Sequence, residues 1–105
     1  MAAVQKRTRV PLATNMCMTE FVHLPSAIQL EAVRVILGDH HGWGGLRTMQ
    51  TLGHYCESFG RGMSQHSNTH LGISMAAMIH AAATTPQLTF ASDTHCLWQE
   101  RHDIV

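Results

Sequence analysis

The sequence has no surplus of charge. Seven Lys and Arg balance seven Asp and Glu over 105 residues, and charged side chains make up only 13% of the chain. Nucleic-acid recognition needs cations gathered on one face against phosphates. Gln5–Lys6–Arg7–Thr8–Arg9 is the single basic cluster, and it reads as the solvated end of a helix. No nucleic-acid partner is expected. Cysteine is also scarce: Cys17, Cys56 and Cys96 are odd in number, lie 39 and 40 residues apart and form no C-x-x-C. That pattern suggests neither a disulfide framework nor a zinc ribbon, and it fits a reducing cytoplasm. Long apolar runs are missing. The longest, Leu71 to Ala83, is interrupted by Ser74 and His80 and falls short of the about 20 residues that span a bilayer, so no membrane is expected. The N-terminus carries no sign of a secretory signal. What remains is a chain with 45% hydrophobic residues, enough to build one modest core and too apolar for disorder throughout.

Four short runs have strand character: Arg9–Thr14, Val33–Leu37, Gly62–Gln65 and Leu88–Ala91. Between them lie helical patterns. Leu46, Met49, Leu52, Cys56 and Phe59 put one apolar stripe on one face, and Gly60 would stop that helix. A second pattern starts near Asn68 or Thr69, both suited to cap it. It runs through Leu71, Met75, Met78, Ile79 and Ala82 until Pro86 breaks it, with the methionines in the core. A third, weaker helix begins at Pro25.

Strands alternating with helices imply parallel strands with crossover helices, an α/β chain. Each strand ends on a polar or ionisable residue: Asn15, Asp39, His66 and Asp93, at intervals of 24, 27 and 27 residues. An eight-fold barrel of about 250 residues has a slightly longer repeat. A barrel would gather these four side chains at one mouth, and a doubly wound open sheet would place them at its ligand-binding edge. Periodicity leaves both open. Four strands cannot close a barrel, and the exposed sheet edges favour a fragment of something longer.

The chemistry concentrates at those strand ends. Asp39–His40–His41–Gly42–Trp43–Gly44–Gly45 joins a carboxylate to a glycine-rich turn that lacks the phosphate-loop spacings. It reads equally as a tight turn. Asp39, ending a buried strand, needs a partner to offset its desolvation. His66, within His66–Ser67–Asn68–Thr69–His70, would supply one from the next strand. An Asp39–His66 pair would fix the ring's tautomer and prepare it as base and then acid, although a structurally satisfied histidine fits as well. His66 and His70 with Cys96 or His95 give a nonspecific zinc alternative. Asp93–Thr94–His95, followed by Trp98–Gln99–Glu100, repeats the Asp/His theme. His23, His54 and His80 read as surface or packed helical residues.

Ala13–Thr14–Asn15–Met16, Asp39 with His–His–Gly–Trp, His66–Ser67–Asn68–Thr69–His70 and Asp93–Thr94–His95 with Trp98–Gln99–Glu100 together resemble the enolase superfamily. Within its mandelate racemase subgroup they are most similar to the acid-sugar (glucarate-type) dehydratases, in order and spacing across essentially the whole chain. The resemblance implies a partial (β/α) barrel of about four parallel strands, strands five to eight, with the capping domain and first barrel half absent from these 105 residues. It implies Mg2+ as cofactor, with Asn15 as one ligand, and a catalytic dyad of His66 and Asp39. Asn15, Ser67, Asn68 and His95 become substrate contacts, while Asp93 has a position without a role. The implied reaction removes the proton α to a carboxylate and eliminates water to a keto-deoxy acid. The partners it implies are a small acid sugar and, for the full-length form, a second copy of itself. A hydroxy-acid racemase or epimerase of the same superfamily and a non-catalytic half-barrel are the alternatives. The family's lysine base and two acidic metal ligands match nothing here, so the isolated chain is expected to be inactive.

Overall fold

The structure, a computed structural model, describes residues 1–98 and Asp103. Its elements follow in the order α1 (Ala2–Gln5), β1 (Ala13–Thr14), a single 3-10 turn (Phe21–His23), α2 (Leu24–Gln29), β2 (Val35–Gly38), α3 (Leu46–Ser58), β3 (Gly62–Gln65), α4 (Gly72–Thr84) and a second 3-10 turn (Cys96–Trp98). The strands form one parallel sheet in the order β1-β2-β3. Val35 stands beside Ala13 on one side and Gly62 on the other, so β2 is the central strand. Its Val35 and Ile36 are buried, as a strand covered on both faces requires. This is the expected α/β architecture, an open parallel sheet with crossover helices.

β1 is shorter than the Arg9–Thr14 run. Gln5, buried at the end of α1, uses its amide on that segment: Oε1 accepts from Leu12 N–H at 2.7 Å and Nε2 donates to Val10 C=O at 3.2 Å. Pro11 has no N–H to offer. A side chain thus takes the polar groups a sheet neighbour would use, and regular pairing begins at Ala13.

α3 forms as its periodicity dictates. Met49, Leu52 and Cys56 are fully buried, while Leu46 and Phe59 at the two ends of the stripe remain exposed. The helix ends where Gly60 adopts φ +59°. Arg61 N–H then bonds Cys56 C=O at 2.8 Å and Gly60 N–H bonds Glu57 C=O at 3.2 Å, the paired closure of a Schellman motif. α2 carries Pro25 in its first turn, where a missing N–H costs nothing. α4 starts at Gly72, not at Asn68 or Thr69; its N-cap residue Leu71 makes no side-chain cap, and Gly72 N–H donates instead to Asp103 Oδ1 at 2.8 Å. Of its apolar positions Met78 and Ala81 are buried, whereas Ile79 faces outward. Gln65 at the end of β3 fixes α4 from beneath. In the amide orientation that satisfies both ends, it donates to Met78 C=O at 2.8 Å and accepts from Ala82 N–H at 3.1 Å.

Leu88–Ala91 lies in the fourth position of the sheet but forms a single parallel bridge, Met63 with Leu88, in place of a full strand. Thr89 and Phe90 both donate to Met63 C=O. The Ser64 hydroxyl takes the Ala91 carbonyl at 2.7 Å, a bond that a regular ladder would make with a backbone N–H. The core is one cluster between sheet and helices, built on Leu24, Ile36, Trp43, Met49, Leu52, Cys56 and Met63. Among the described residues no helix is long and apolar enough to cross a membrane.

Candidate functional site

Three strand ends converge because the sheet is parallel and its register is kept one step beyond β3. His66 N–H donates to Gly38 C=O at 2.8 Å, and Asp93 N–H donates to Gln65 C=O at 3.0 Å. With the β1–β2 pairing, which sets Thr14 beside Ile36, these bonds bring Asn15, Asp39, His66 and Asp93 to the same edge.

His66 is buried and held from both sides. Its Nδ1 lies 2.9 Å from both oxygens of Asp93, and its Nε2 lies 2.6 Å from Asn15 Nδ2. A carboxylate can only accept, so Nδ1 carries the proton, and the neutral ring presents a lone pair at Nε2. The Asn15 amide donates to that lone pair. Asp93 Oδ1 also accepts from Ser67 N–H at 3.0 Å. The result is a relay of Asp93, His66 and Asn15 with its basic nitrogen at the Asn15 end.

The acid bonded to His66 is Asp93, which corrects the expected Asp39–His66 pairing. Asp39 Oδ1 closes the turn after β2 by accepting from His41 N–H at 2.9 Å, and it stands 3.3 Å from His70 Nε2. An Asx-type turn competes for the carboxylate, and a buried imidazole completes the capture. The other expected residues lie around this centre. Ser67 is fully buried, and among the described residues its hydroxyl has no hydrogen-bond partner. Asn68 is exposed. His95 meets the His66 ring edge-on at 6.3 Å and stacks on Trp98 at 4.9 Å. Gln99 and Glu100 lie outside the described residues.

Beside this relay stands a group that strand-end reasoning missed. The rings of His40, His41 and His70 pack with centroids 4.4, 4.7 and 4.9 Å apart, and one ligand nitrogen from each lies within 4.8 Å of the others. They border a cavity of about 690 Å³ that Asp39, Asn68 and Ser74 also line. Burial pushes the His40 pKa below the usual imidazole value, and the neighbouring His41 and His70 lower it further against the pull of Asp39. His70 is lowered for the same first reason, with Asp39 opposing. The zinc alternative of His66 and His70 with Cys96 or His95 is not the grouping found. Among the described residues the metal-competent trio joins His70 to His40 and His41. The adjacent His–His after the best strand was the available signal.

A family model described as enolase C-terminal domain-like matches residues 1–105. A probable glucarate dehydratase of Streptomyces coelicolor is 58% identical over 99 residues, covering 94% of this chain and 23% of that protein. An enolase from Gibberella zeae, solved with magnesium, formate and sulfate, superposes with TM-score 0.93 at 56% identity over 96% of this chain and 24% of its own. An enolase from Pseudomonas fluorescens, solved with magnesium, potassium and tartrate, gives 0.91 at 52% identity over 94% and 23%. The chain therefore spans about a quarter of the length of the relatives it matches.

Proposed function

We propose that this chain, which belongs to the enolase C-terminal domain-like family throughout residues 1–105, carries the proton-transfer half of an acid-sugar dehydratase of glucarate type. It would supply strands five to eight of the barrel and act in the cytoplasm, in a protein that associates with its own copies. The observation that carries the reading is the His66 ring, fixed between Asp93 and Asn15 with its lone pair at Nε2. The probable glucarate dehydratase at 58% identity supports the substrate class.

In this reading a hydroxy-carboxylate displaces the Asn15 amide from Nε2. The nitrogen takes the proton α to the carboxylate, and the electron pair moves into an enediolate. The imidazolium then gives its proton to the departing β-hydroxyl, water leaves, and the enol product becomes a keto-deoxy acid. Asp93 stabilises the imidazolium through Nδ1. Asp39 enters as the second carboxylate at the mouth, resting on His70, and Ser67, Asn68 and His95 as substrate contacts. The described residues do not form a magnesium site by themselves. Asn15 offers one neutral amide oxygen, whereas Mg2+ takes a near-octahedral oxygen set that includes carboxylates. The 105-residue chain alone is accordingly expected to turn over no acid sugar.

The test replaces the matching quarter of the Streptomyces coelicolor relative with this chain and assays keto-acid formation from glucarate. Activity in the chimera, falling by about 10³-fold or more in His66→Asn, is the expected result. A His66→Asn chimera that still dehydrates glucarate overturns the assignment. Solvent deuterium at the α carbon without loss of water would replace dehydration by racemisation.

A further inference from the structure

We propose that His40, His41 and His70 form a binding site for one divalent transition-metal ion of the Zn2+ type, independent of the dehydratase reading. The three imidazoles already touch, and their ligand atoms lie within 4.8 Å of one another. Tetrahedral Zn2+, with Zn–N near 2.1 Å, needs nitrogens about 3.4 Å apart. The closure required is a side-chain rotation, and His41, the exposed member, can make it by giving up its contact with Ser74 Oγ.

Three further observations point to a ligand. The Nε2 atoms of His40 and His41 converge on one hydroxyl, Ser74 Oγ, at 3.2 Å from His40 and in close contact with His41. The hydroxyl can donate to one ring and accept from the other, and its position marks a point at which two imidazole nitrogens are aimed. His40, only 8% exposed, has a buried Nδ1 with no hydrogen-bond partner among the described residues. The carboxylate of Asp39 stands 3.3 Å from His70 Nε2, where it can orient the ring and offset the charge of a bound cation, as outer-shell carboxylates do.

Donor chemistry selects the metal. An all-imidazole set with no thiolate and no oxygen cage suits Zn2+, Co2+, Ni2+ or Cu2+ and does not suit Mg2+ or Ca2+. Three protein ligands leave a fourth position for water, and the bordering cavity of about 690 Å³ has room for it.

The test titrates the purified chain with Co2+, followed by visible absorption, and with Zn2+, followed by calorimetry. One equivalent should bind with the intense bands of four-coordinate Co2+, be displaced by Zn2+ and be indifferent to excess Mg2+. His41→Ala, at an exposed position, should weaken binding about 100-fold or more while leaving the circular dichroism unchanged. His54→Ala, on the exposed face of α3, should change it less than about twofold. Absence of stoichiometric binding, or equal weakening by His41→Ala and His54→Ala, overturns the proposal.

Discussion

Two acid–imidazole pairs stand side by side at one sheet edge and differ in how far the acid faces water. In the pair of His66 and Asp93 the imidazole is 9% exposed and the acid 51%; in the pair of His70 and Asp39 the values are 6% and 20%. The larger difference lies at the second nitrogen. His66 presents Nε2 to a single neutral amide, which an arriving substrate can displace. His70 sits against two more imidazoles and next to a turn that already occupies its acid. A partner on one nitrogen fixes a ring, but the neighbour of the other nitrogen decides whether it acts as a base or gathers with other donors. The same motif thus yields two environments four residues apart.

The sharpest way to break this contrast is to remove each acid's charge in turn within the chimera. Asp93→Asn is expected to lower turnover by about 10³- to 10⁴-fold, because the amide no longer holds the Nδ1–H tautomer. It should also move the limb of the pH–rate profile that reports the base. A larger loss in Asp39→Asn would show that the ring leaves Asp93 for Asp39 during turnover. Acid titration probes the other pair at a smaller scale. Because the folded pKa values of His40 and His70 lie below 6.5, the unfolded chain binds more protons as pH falls through that value. Their contribution is present above pH 6.5 and lost below it, so stability in urea should fall by at most about 1.4 kcal/mol per pH unit per histidine. His40→Gln and His70→Gln should each flatten that slope, and an unchanged slope in both would remove the burial argument. The smallest effect concerns Cys56, a fully buried thiol. Burial pushes its thiol up to about 12, so at pH 8 it should resist a thiol reagent that labels exposed Cys17, as mass spectrometry of the labelled chain would show.

The elements with strong periodicity were legible in the sequence. The stripe of α3, its stop at Gly60 and the run of β3 appear where pattern places them, because buried spacing alone determines them, while β2 forms over Val35–Gly38, shifted toward the C-terminus from the expected Val33–Leu37. β1 and the fourth segment were not, since side chains of Gln5 and Ser64 take over bonds that a strand pattern assigns to backbone. Periodicity also brought Asn15, Asp39, His66 and Asp93 to one edge. It did not choose the partner of His66, because Asp39 and Asp93 both lie 27 residues from it. That choice belongs to a turn and a ring rotation, which leave no trace in spacing. The His40–His41–His70 contact depended on the same turn, and the adjacent His–His was its one trace in the sequence.

The Gln65 amide bears on all of this, since α4 is gripped at two heights. Near its start Ser74 is tied to His40 and His41, and further along Met78 and Ala82 are tied to the residue that precedes His66. A rod clasped twice cannot slide or roll without tugging on both clasps. The helix therefore makes the base and the histidine cluster mechanically one assembly, so that a strain applied to either travels to its neighbour.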